Sequence, residues 1–481
     1  MRLFSSNIVL LLSGLIMSVT FSCKTETDPS IRIYDQNPFY WQYRGEPVLL
    51  LGGSKEDNLF NHPEGLAEHL DVLKNAGGNY IRNTMSSRNP GNRWPFRQLE
   101  SGLYDLDRWD DQYWERFTNL LELSYERDII VQLEIWDPWD YFMSEAPLGY
   151  GPENIGWESC PYNPVLNINY TTEESGLDTI LDYYSGRHPS THLFFHTVPE
   201  LKDIPVVRKY QEAFLEKLLS ISLDYPNVLY CMNNEIGEHP EWGEYWARFI
   251  RVIAEKKGEE VYLADMRRNS DFSSEEQTNL LHDRTHYDFF EISQNNANSG
   301  QRHYDLIMVI RDQIVDSPRP LNNVKIYGGT VGWTNSAVEG TRRFWRNIFG
   351  GLASSRFHRE GPSSMYFGIG LSELAQTHLT SMRMFTSEMN IFTCSPSNEL
   401  LSEREPDRAY CISEAGRQYA IYFPDGGNVV IDLSGSAPEM ELRWLDILSS
   451  EWHESTRVEG NSKVAITAPG QGHWAALIRQ P

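Results

Sequence analysis

Between about residue 40 and about residue 385, short apolar runs alternate with longer stretches in which apolar residues recur at helical spacing. Turn residues bound the runs, which is typical of buried strands. Eight runs can be distinguished, and they begin at Val48, Gly78, Ile129, Val228, Val261, Phe289, Val324 and Ala353. Strand–helix alternation predicts a parallel sheet, and eight units predict an α/β fold of the closed (β/α)8 (TIM) barrel type.

The pattern changes after about residue 385. Six short apolar strands follow at the roughly ten-residue spacing of an all-β domain, separated by turns such as Pro424-Asp-Gly-Gly427. We therefore predict a barrel over residues 36–385 and a C-terminal antiparallel β-sandwich over residues 386–481.

The N-terminus has the layout of an export signal. Arg2 precedes a short apolar segment, Ile8 to Ile16, that is too short to span a bilayer. Ser22-Cys23 resembles the end of a bacterial lipoprotein signal, although Thr20 and Phe21 depart from the commonest form. We expect residues 1–23 to be the signal, residues 24–35 to be a flexible tether, and a lipid on Cys23 to be the sole membrane contact. The expected location is the outer membrane or cell surface; plain secretion, for instance to the periplasm, stays open.

Composition limits the classes of function. With 40% hydrophobic and 12% aromatic residues, the 481-residue chain can bury a large core. Its formal net charge of −25 argues against nucleic acid as a partner. His286, His303 and His358 lack metal-ligand spacing, so we expect no metal and no cofactor. Cys394 and Cys411 could form a disulfide in an exported protein.

Asn234-Glu235, at the end of the fourth apolar run, is the most informative motif. Barrel enzymes carry their chemistry at the carboxyl ends of the strands. A glutamate there can transfer a proton while the asparagine hydrogen-bonds a substrate hydroxyl. The alternative is a strand-end glutamate that only caps the following helix.

In this context the motifs resemble glycoside hydrolase clan A, and most closely its apiosidase-like bacterial barrels. The resemblance is carried by Gly78-Asn-Tyr-Ile-Arg82 on strand two and Asn234-Glu235 on strand four. The tail, from Tyr419-Ala-Ile-Tyr-Phe-Pro-Asp-Gly-Gly427 to Gly472-His-Trp-Ala-Ala476, is similar to a small β-domain named as the collagen-binding domain of collagenases.

The resemblance implies that Glu235 is the acid/base, that Asn234 positions the sugar and that Arg82 supports the catalytic carboxylates. It also implies a glutamate nucleophile at the end of strand seven. The chain departs from the clan there, because Lys325-Ile-Tyr-Gly-Gly-Thr-Val-Gly-Trp333 contains no carboxylate.

A second carboxyl must therefore come from elsewhere, roughly 5–5.5 Å from Glu235 for retention or roughly 6.5–9.5 Å for inversion. Glu339 follows strand seven, although it could instead be a first-turn helix residue. Glu291 lies within strand six, although it could instead form a buried ion pair. We expect the pKa of Glu235 to be raised by desolvation, as a general acid requires.

Other polar and aromatic residues at strand ends are candidates for substrate binding. The set comprises Arg82, Asn83, Glu134, Trp136, Asp137, Asn234, Asp265, Arg267, Trp333, Arg356 and His358. Trp136, Trp139, Trp157 and Trp333 are the expected sugar platforms. Arginines after several strands would bind an acidic glycan, unless they only pair with local acids.

The sequence thus favours a secreted glycoside hydrolase that cleaves a plant-type, possibly acidic polysaccharide. A catalytically inactive glycan-binding lipoprotein on the same barrel is the alternative, and the missing strand-seven glutamate favours it. A third hypothesis makes the β-domain an adhesive module and the barrel a spacer.

Overall fold

The computed structural model describes residues 28–141, 156–180, 189–237, 239–329, 336–360 and 367–481. The strands of the first part of the chain are β1 (Arg32–Ile33), β2 (Trp41–Tyr43), β3 (Glu46–Val48), β4 (Leu50–Gly53), β5 (Tyr80–Thr84), β6 (Phe96–Gln98), β7 (Tyr104–Trp109), β8 (Ile130–Trp136), β9 (Val228–Asn233), β10 (Leu263–Ala264), β11 (Phe290–Glu291), β12 (Leu321–Asn322) and β13 (Ser354–Phe357). The helices are α1 (Leu66–Asn75), α2 (Asp111–Glu126), α3 (Gly156–Ser159), α4 (Thr172–Ser175), α5 (Pro205–Ser222), α6 (Pro240–Lys257), α7 (Glu275–His282), α8 (Gly300–Gln313), α9 (Ala337–Phe349) and α10 (Glu373–Ser387).

Eight parallel strands close into the predicted (β/α)8 barrel. Six of them form a continuous sheet in the order β10-β9-β8-β5-β4-β13, and β11 pairs with β12. Backbone hydrogen bonds join the two groups: Asp288 N donates to Leu263 O at 2.8 Å, and Ala353 N donates to Leu321 O at 2.9 Å. A helix of eight or more residues follows each barrel strand.

The seventh strand begins earlier than the sequence pattern indicates. The predicted run Val324–Tyr327 follows β12 and forms only an isolated bridge, between Ile326 and Phe357. Val324 N donates to the Ser293 side chain at 2.9 Å instead of to a neighbouring strand. The segment therefore lies at the mouth of the barrel, where its side chains can line a cleft.

The barrel interior is polar and is covered at its N-terminal end by the β1–β3 sheet. Trp41 of β2 donates its indole N–H to the Asn322 side chain at 3.0 Å. Asn322 in turn donates to the Tyr80 hydroxyl at 3.1 Å, and Gln132 donates to Glu291 at 3.2 Å. These hydrogen bonds satisfy polar groups that burial would otherwise leave costly.

The C-terminal part is a β-sandwich, as expected. Its strands are β14 (Ser395–Pro396), β15 (Leu401–Ser402), β16 (Tyr410–Glu414), β17 (Gln418–Phe423), β18 (Asn428–Asp432), β19 (Glu439–Asp446), β20 (Glu451–Trp452), β21 (Thr456–Glu459), β22 (Lys463–Thr467) and β23 (Trp474–Arg479). A seven-stranded antiparallel sheet, β14-β16-β17-β23-β19-β20 with β21 beside β19, faces a three-stranded sheet, β15-β18-β22, across a separate apolar core.

Two expectations outside the barrel concern cysteines and the membrane. Cys394 and Cys411 are both buried as free thiols, so the structure does not form the disulfide that their positions allowed. No helix in the described ranges has the length and apolarity needed to cross a membrane. Cys23 lies outside the described residues.

Helices α9 and α10 pack the barrel against the seven-stranded sheet. Trp345 stacks on Tyr422 of β17 at 5.4 Å between ring centroids. Trp345 also donates its indole N–H to Nδ1 of His378 at 3.0 Å. The His378 ring lies 5.3 Å from that of His473, next to β23. Burial lowers the pKa of His378 to about 3 and that of His473 to about 4.

This histidine pair predicts acid-sensitive stability. The pKa of each ring is about 6.5 in the unfolded chain and lower in the fold, so the unfolded state binds protons first and stability falls as pH drops below about 6.5. The loss for His378 should be about 2 kcal/mol at pH 5. His378→Gln keeps an acceptor for Trp345, so urea unfolding at pH 7.5 and pH 5 should show a smaller pH dependence in this variant. Equal pH dependence in both proteins would contradict the assignment.

Candidate functional site

A cleft of about 370 Å³ opens at the carboxyl ends of the barrel strands. Its described lining comes from the segments that follow all eight barrel strands, together with Arg82 on β5 itself. The lining residues are Asp57, Arg82, Arg88, Trp139, Asn234, Glu235, Arg268, Ser270, Gln294, Ala297, Lys325, Tyr327, His358, Arg359 and Phe367. Five of these carry a positive charge and two a negative one, in a chain of net charge −25. The lining thus carries a positive net charge, whereas the chain as a whole is strongly negative.

Glu235 occupies a strained backbone position at the end of β9. Asn234 N donates to Trp136 O on β8 at 3.0 Å, whereas Ile236 N donates to Met266 O beyond β10 at 3.1 Å. The chain thus changes its strand partner at Glu235, which adopts φ 57°. This left-handed conformation costs a non-glycine residue on the order of 1–3 kcal/mol and is concentrated at functional sites.

The carboxylate of Glu235 is held as an anion. The Lys325 ammonium forms an ion pair with it, and the Tyr327 hydroxyl donates to its Oε1 at 3.3 Å. Burial alone would raise the pKa of Glu235, but Lys325, with Gln294 and Arg82, lowers it to about 2. The expected rise in the pKa of Glu235 is therefore wrong for the unliganded protein, because the sequence did not reveal the lysine opposite it.

Asn234 connects Lys325 to Asp137, which directly follows β8. The Lys325 ammonium donates to Asn234 Oδ1 at 3.1 Å, and Asn234 Nδ2 donates to Asp137 Oδ1 at 3.0 Å. Asp137 also forms an ion pair with Arg88. Asn234 is thereby fixed in orientation beside Glu235.

Asp57 is the centre of a second charge cluster in the cleft. It lies 2.6 Å from Arg82, 2.8 Å from Arg359 and 3.5 Å from Arg88, measured from carboxylate oxygen to guanidinium nitrogen. His358 Nδ1 lies 3.5 Å from the same carboxylate. Burial opposes ionisation, but the guanidinium groups and His358 keep the pKa of Asp57 well below its usual range. Arg82 is shared with Glu134, at 2.6 Å.

The structure does not bring the two candidate second carboxyls into the cleft lining. Glu339 lies in the first turn of α9, where its carboxylate pairs with Arg346 and lies 3.8 Å from Arg343. Glu291 lies inside the barrel and accepts from Gln132 and Ser293. Burial raises the pKa of Glu291 to about 7. We do not retain either as the partner of Glu235, because each is bonded to structural groups away from the cleft surface.

Two of the expected anion-binding arginines are buried in other contacts. Arg267 pairs with Asp265 at 3.0 Å, and both side chains are almost fully buried. Arg356 donates to Val324 O at 2.6 Å and to the Ser54 hydroxyl, and its side chain is inside the barrel. Three substrate-binding candidates, Asp265, Arg267 and Arg356, therefore support the walls of the barrel and are absent from the cleft lining.

Among the remaining candidates, Arg82 and His358 line the cleft directly. Asn83 is buried and accepts from Phe60 N at 3.1 Å, so it supports a loop. Trp136 and Trp157 are buried among aromatic rings, which leaves Trp139 as the tryptophan in the described lining. Trp333 lies outside the described residues.

Sequence reasoning missed Asp57, Gln294, Lys325 and Tyr327. Asp57 follows the first strand and Gln294 the sixth, so their positions after apolar runs were the available signal. The sequence pattern places Lys325 and Tyr327 within the seventh strand, and this assignment conceals their position at the mouth.

One group in the described part of the chain has a geometry that could hold a metal ion: Glu244, Asp283 and His286, on the outside of the barrel. His286 Nδ1 contacts Asp283 at 2.8 Å, and its Nε2 lies 3.3 Å from Arg248 Nη1. The nearby guanidinium opposes a second cation, so we interpret the group as a surface hydrogen-bond network.

The Asp57 cluster predicts a large loss of stability on neutralisation. Asp57→Asn removes a counter-charge that three guanidinium groups share, and it leaves Arg359 without an ion pair to any described residue. We expect a cost of about 3–5 kcal/mol in the free energy of unfolding. Asp71→Asn is the matched control, because Asp71 pairs with Arg127 at the exposed surface; its unfolding transition should hardly change. Similar urea midpoints for Asp57→Asn and the wild type would contradict the role of Asp57.

The similarity of the chain to known proteins lies in its fold and is found among solved structures. No protein-family model and no curated protein matches the chain. Among solved structures, a glycoside hydrolase family 5 protein from Bacteroides vulgatus matches with a TM-score of 0.61 at 14% identity, over 94% of this chain and 93% of the other. A second glycoside hydrolase matches with a TM-score of 0.62 at 11% identity, over 94% and 97%. A family 5 mannosidase from Rhizomucor miehei matches with a TM-score of 0.50 at 12% identity, over 76% and 98%. At these identities the chain is similar to these proteins in fold.

Proposed function

We propose that the protein is a glycoside hydrolase that cleaves a glycan carrying anionic groups, with Glu235 as a catalytic carboxylate. The observation that carries the proposal is the position of Glu235: an ionised carboxylate with a strained backbone, at the mouth of the barrel, beside an asparagine of fixed orientation. Glycoside hydrolysis depends on carboxyl groups placed at such a mouth. The similarity in fold to family 5 proteins supports the reaction class.

The charge of the cleft supports an anionic substrate. Five cationic groups line it, and the carboxylates paired to them are Asp57, Glu134, Asp137 and Glu235, which leaves one positive charge in excess. Arg268 supplies this excess: its side chain is exposed and has no ion pair with any described residue. Guanidinium groups bind carboxylates and sulfates with two parallel hydrogen bonds.

The sugar platform and the source of the glycan are further parts of the proposal. Trp139 is half-buried in the lining, and aromatic rings serve as platforms for sugar rings. The apiosidase-like resemblance of the sequence is in keeping with a plant-type polysaccharide. The exported, lipid-anchored form suggested by Cys23 would place the enzyme where such polymers are met.

A second candidate is a glycan-binding protein without hydrolytic activity. A specific observation favours it: Lys325 neutralises Glu235, and Asp57, the other carboxylate in the described lining, has both oxygens close to cationic side chains. Such a protein would bind the same anionic glycan and release no product.

The Glu235→Gln variant tests catalysis. We expect turnover to fall by at least about 10²-fold, because the group that reacts with the sugar or its water is lost, while glycan affinity changes little. Glu439→Gln is the matched control, since it removes an exposed carboxylate on the β-domain. Reducing-end release and calorimetric binding measure the two quantities. Unchanged turnover in Glu235→Gln would reject the proposed function.

The Arg268→Ala variant tests recognition. Loss of one charge-assisted hydrogen bond should weaken binding of trigalacturonate about tenfold and that of neutral xylotriose by less than about twofold. Arg457→Ala is the control, because Arg457 is an exposed arginine on the β-domain. Calorimetric titration gives the affinities. Equal losses for both ligands would show that Arg268 does not select for charge.

A further inference from the structure

Lys325 is the residue at the mouth whose placement is hardest to explain by stability alone. Its side chain is only 2% exposed, and its ammonium contacts Glu235 and Asn234. An ammonium has three N–H donors, and the described residues supply acceptors for two of them. Lys325 also lines the cleft.

The free-energy cost of burying Lys325 with Glu235 indicates that the pair has a functional role. A buried ion pair rarely adds stability over a pair of apolar residues of similar volume, because both charges must lose their hydration. Here the carboxylate partner also adopts φ 57°, a second cost at the same position. Both unfavourable features coincide with the cleft, where strained and desolvated groups are concentrated in enzymes.

We propose that Lys325 is a positioning residue that keeps Glu235 ionised and fixed against Asn234, so that Glu235 acts as a carboxylate and not as a proton donor. The proposal rests on the function proposed above, in which Glu235 is a catalytic carboxylate. Lys325, in the segment after β12, thereby orients Glu235 at the end of β9.

The groups that face Glu235 predict that loss of the Lys325 charge raises the pKa of Glu235. Lys325 and Tyr327 approach from the segment after β12, Gln294 from the segment after β11 and Arg82 from β5. None of these four carries a negative charge at neutral pH. Removing the Lys325 charge leaves burial as the dominant influence, and burial raises the pKa of a carboxyl group.

The pKa of Glu235 can be measured without a substrate. Protein labelled with ¹³C at the glutamate side-chain carboxyl gives a resonance that is assigned by its absence from Glu235→Gln. In the wild type we expect Glu235 to remain ionised at pH 4. In Lys325→Met the titration midpoint should rise by at least about 2 pH units, and in Lys325→Arg, which keeps the charge, it should stay low. Tyr327→Phe removes one neutral donor and should move the midpoint less than Lys325→Met does.

Two outcomes would overturn the proposal. One is a titration midpoint in the wild type above 4.5, the ordinary glutamate value, which can be read even if Lys325→Met fails to fold. The other is a midpoint in folded Lys325→Met equal to that of the wild type. If the wild type cleaves no glycan but Glu235 titrates as expected, the proposed function fails while the effect of Lys325 on Glu235 stands. If the wild type cleaves a glycan and Glu235 titrates normally, the role of Lys325 fails instead.

Discussion

Charges buried at the mouth of the barrel must be neutralised where they lie, and this constraint organises the whole cleft. Arg82, Arg88 and Arg359 converge on Asp57, and Lys325 is matched to Glu235. Each pair joins segments that follow different strands, so the pairs also hold the loops of the mouth together. Removing one partner would leave a buried charge, which is far more costly than losing an exposed pair.

The same constraint explains the chemistry that the cleft can perform. A carboxylate paired with a lysine stays ionised across the physiological range, and the pKa of about 2 for Glu235 expresses this. An ionised carboxylate suits attack on, or stabilisation of, a positively charged sugar centre, or proton abstraction from water. In the function that we propose, the exposed Arg268 adds an attraction for anionic substrates that the acidic exterior would otherwise repel.

The sequence allowed the architecture to be predicted because hydrophobic periodicity is a local property. Eight apolar runs were sufficient for the barrel, and the Asn234-Glu235 motif was located correctly at the mouth. The partner of Glu235 could not be predicted, because Lys325 lies 90 residues away and meets it only after the barrel closes. Arg267 and Arg268 show the same limit: adjacent residues point to different environments, and only Arg268 reaches the cleft. The seventh strand is misplaced because Val324–Tyr327 is apolar enough to resemble a strand. Val324 and Lys325 donate their backbone N–H groups to the Ser293 side chain, whereas Ile326 N donates to Arg356 O on β13 at 3.0 Å.

Cleavage of an anionic glycan, as opposed to binding alone, is the activity that we propose for the cleft. The most direct measurement incubates the wild-type protein with matched sets of uronate-bearing, sulfated and neutral oligosaccharides. Calorimetry then measures binding of each, and a reducing-end assay measures cleavage. We expect that at least one anionic oligosaccharide both binds and yields new reducing ends. Binding of anionic oligosaccharides without any new reducing end would contradict it and would establish the glycan-binding alternative.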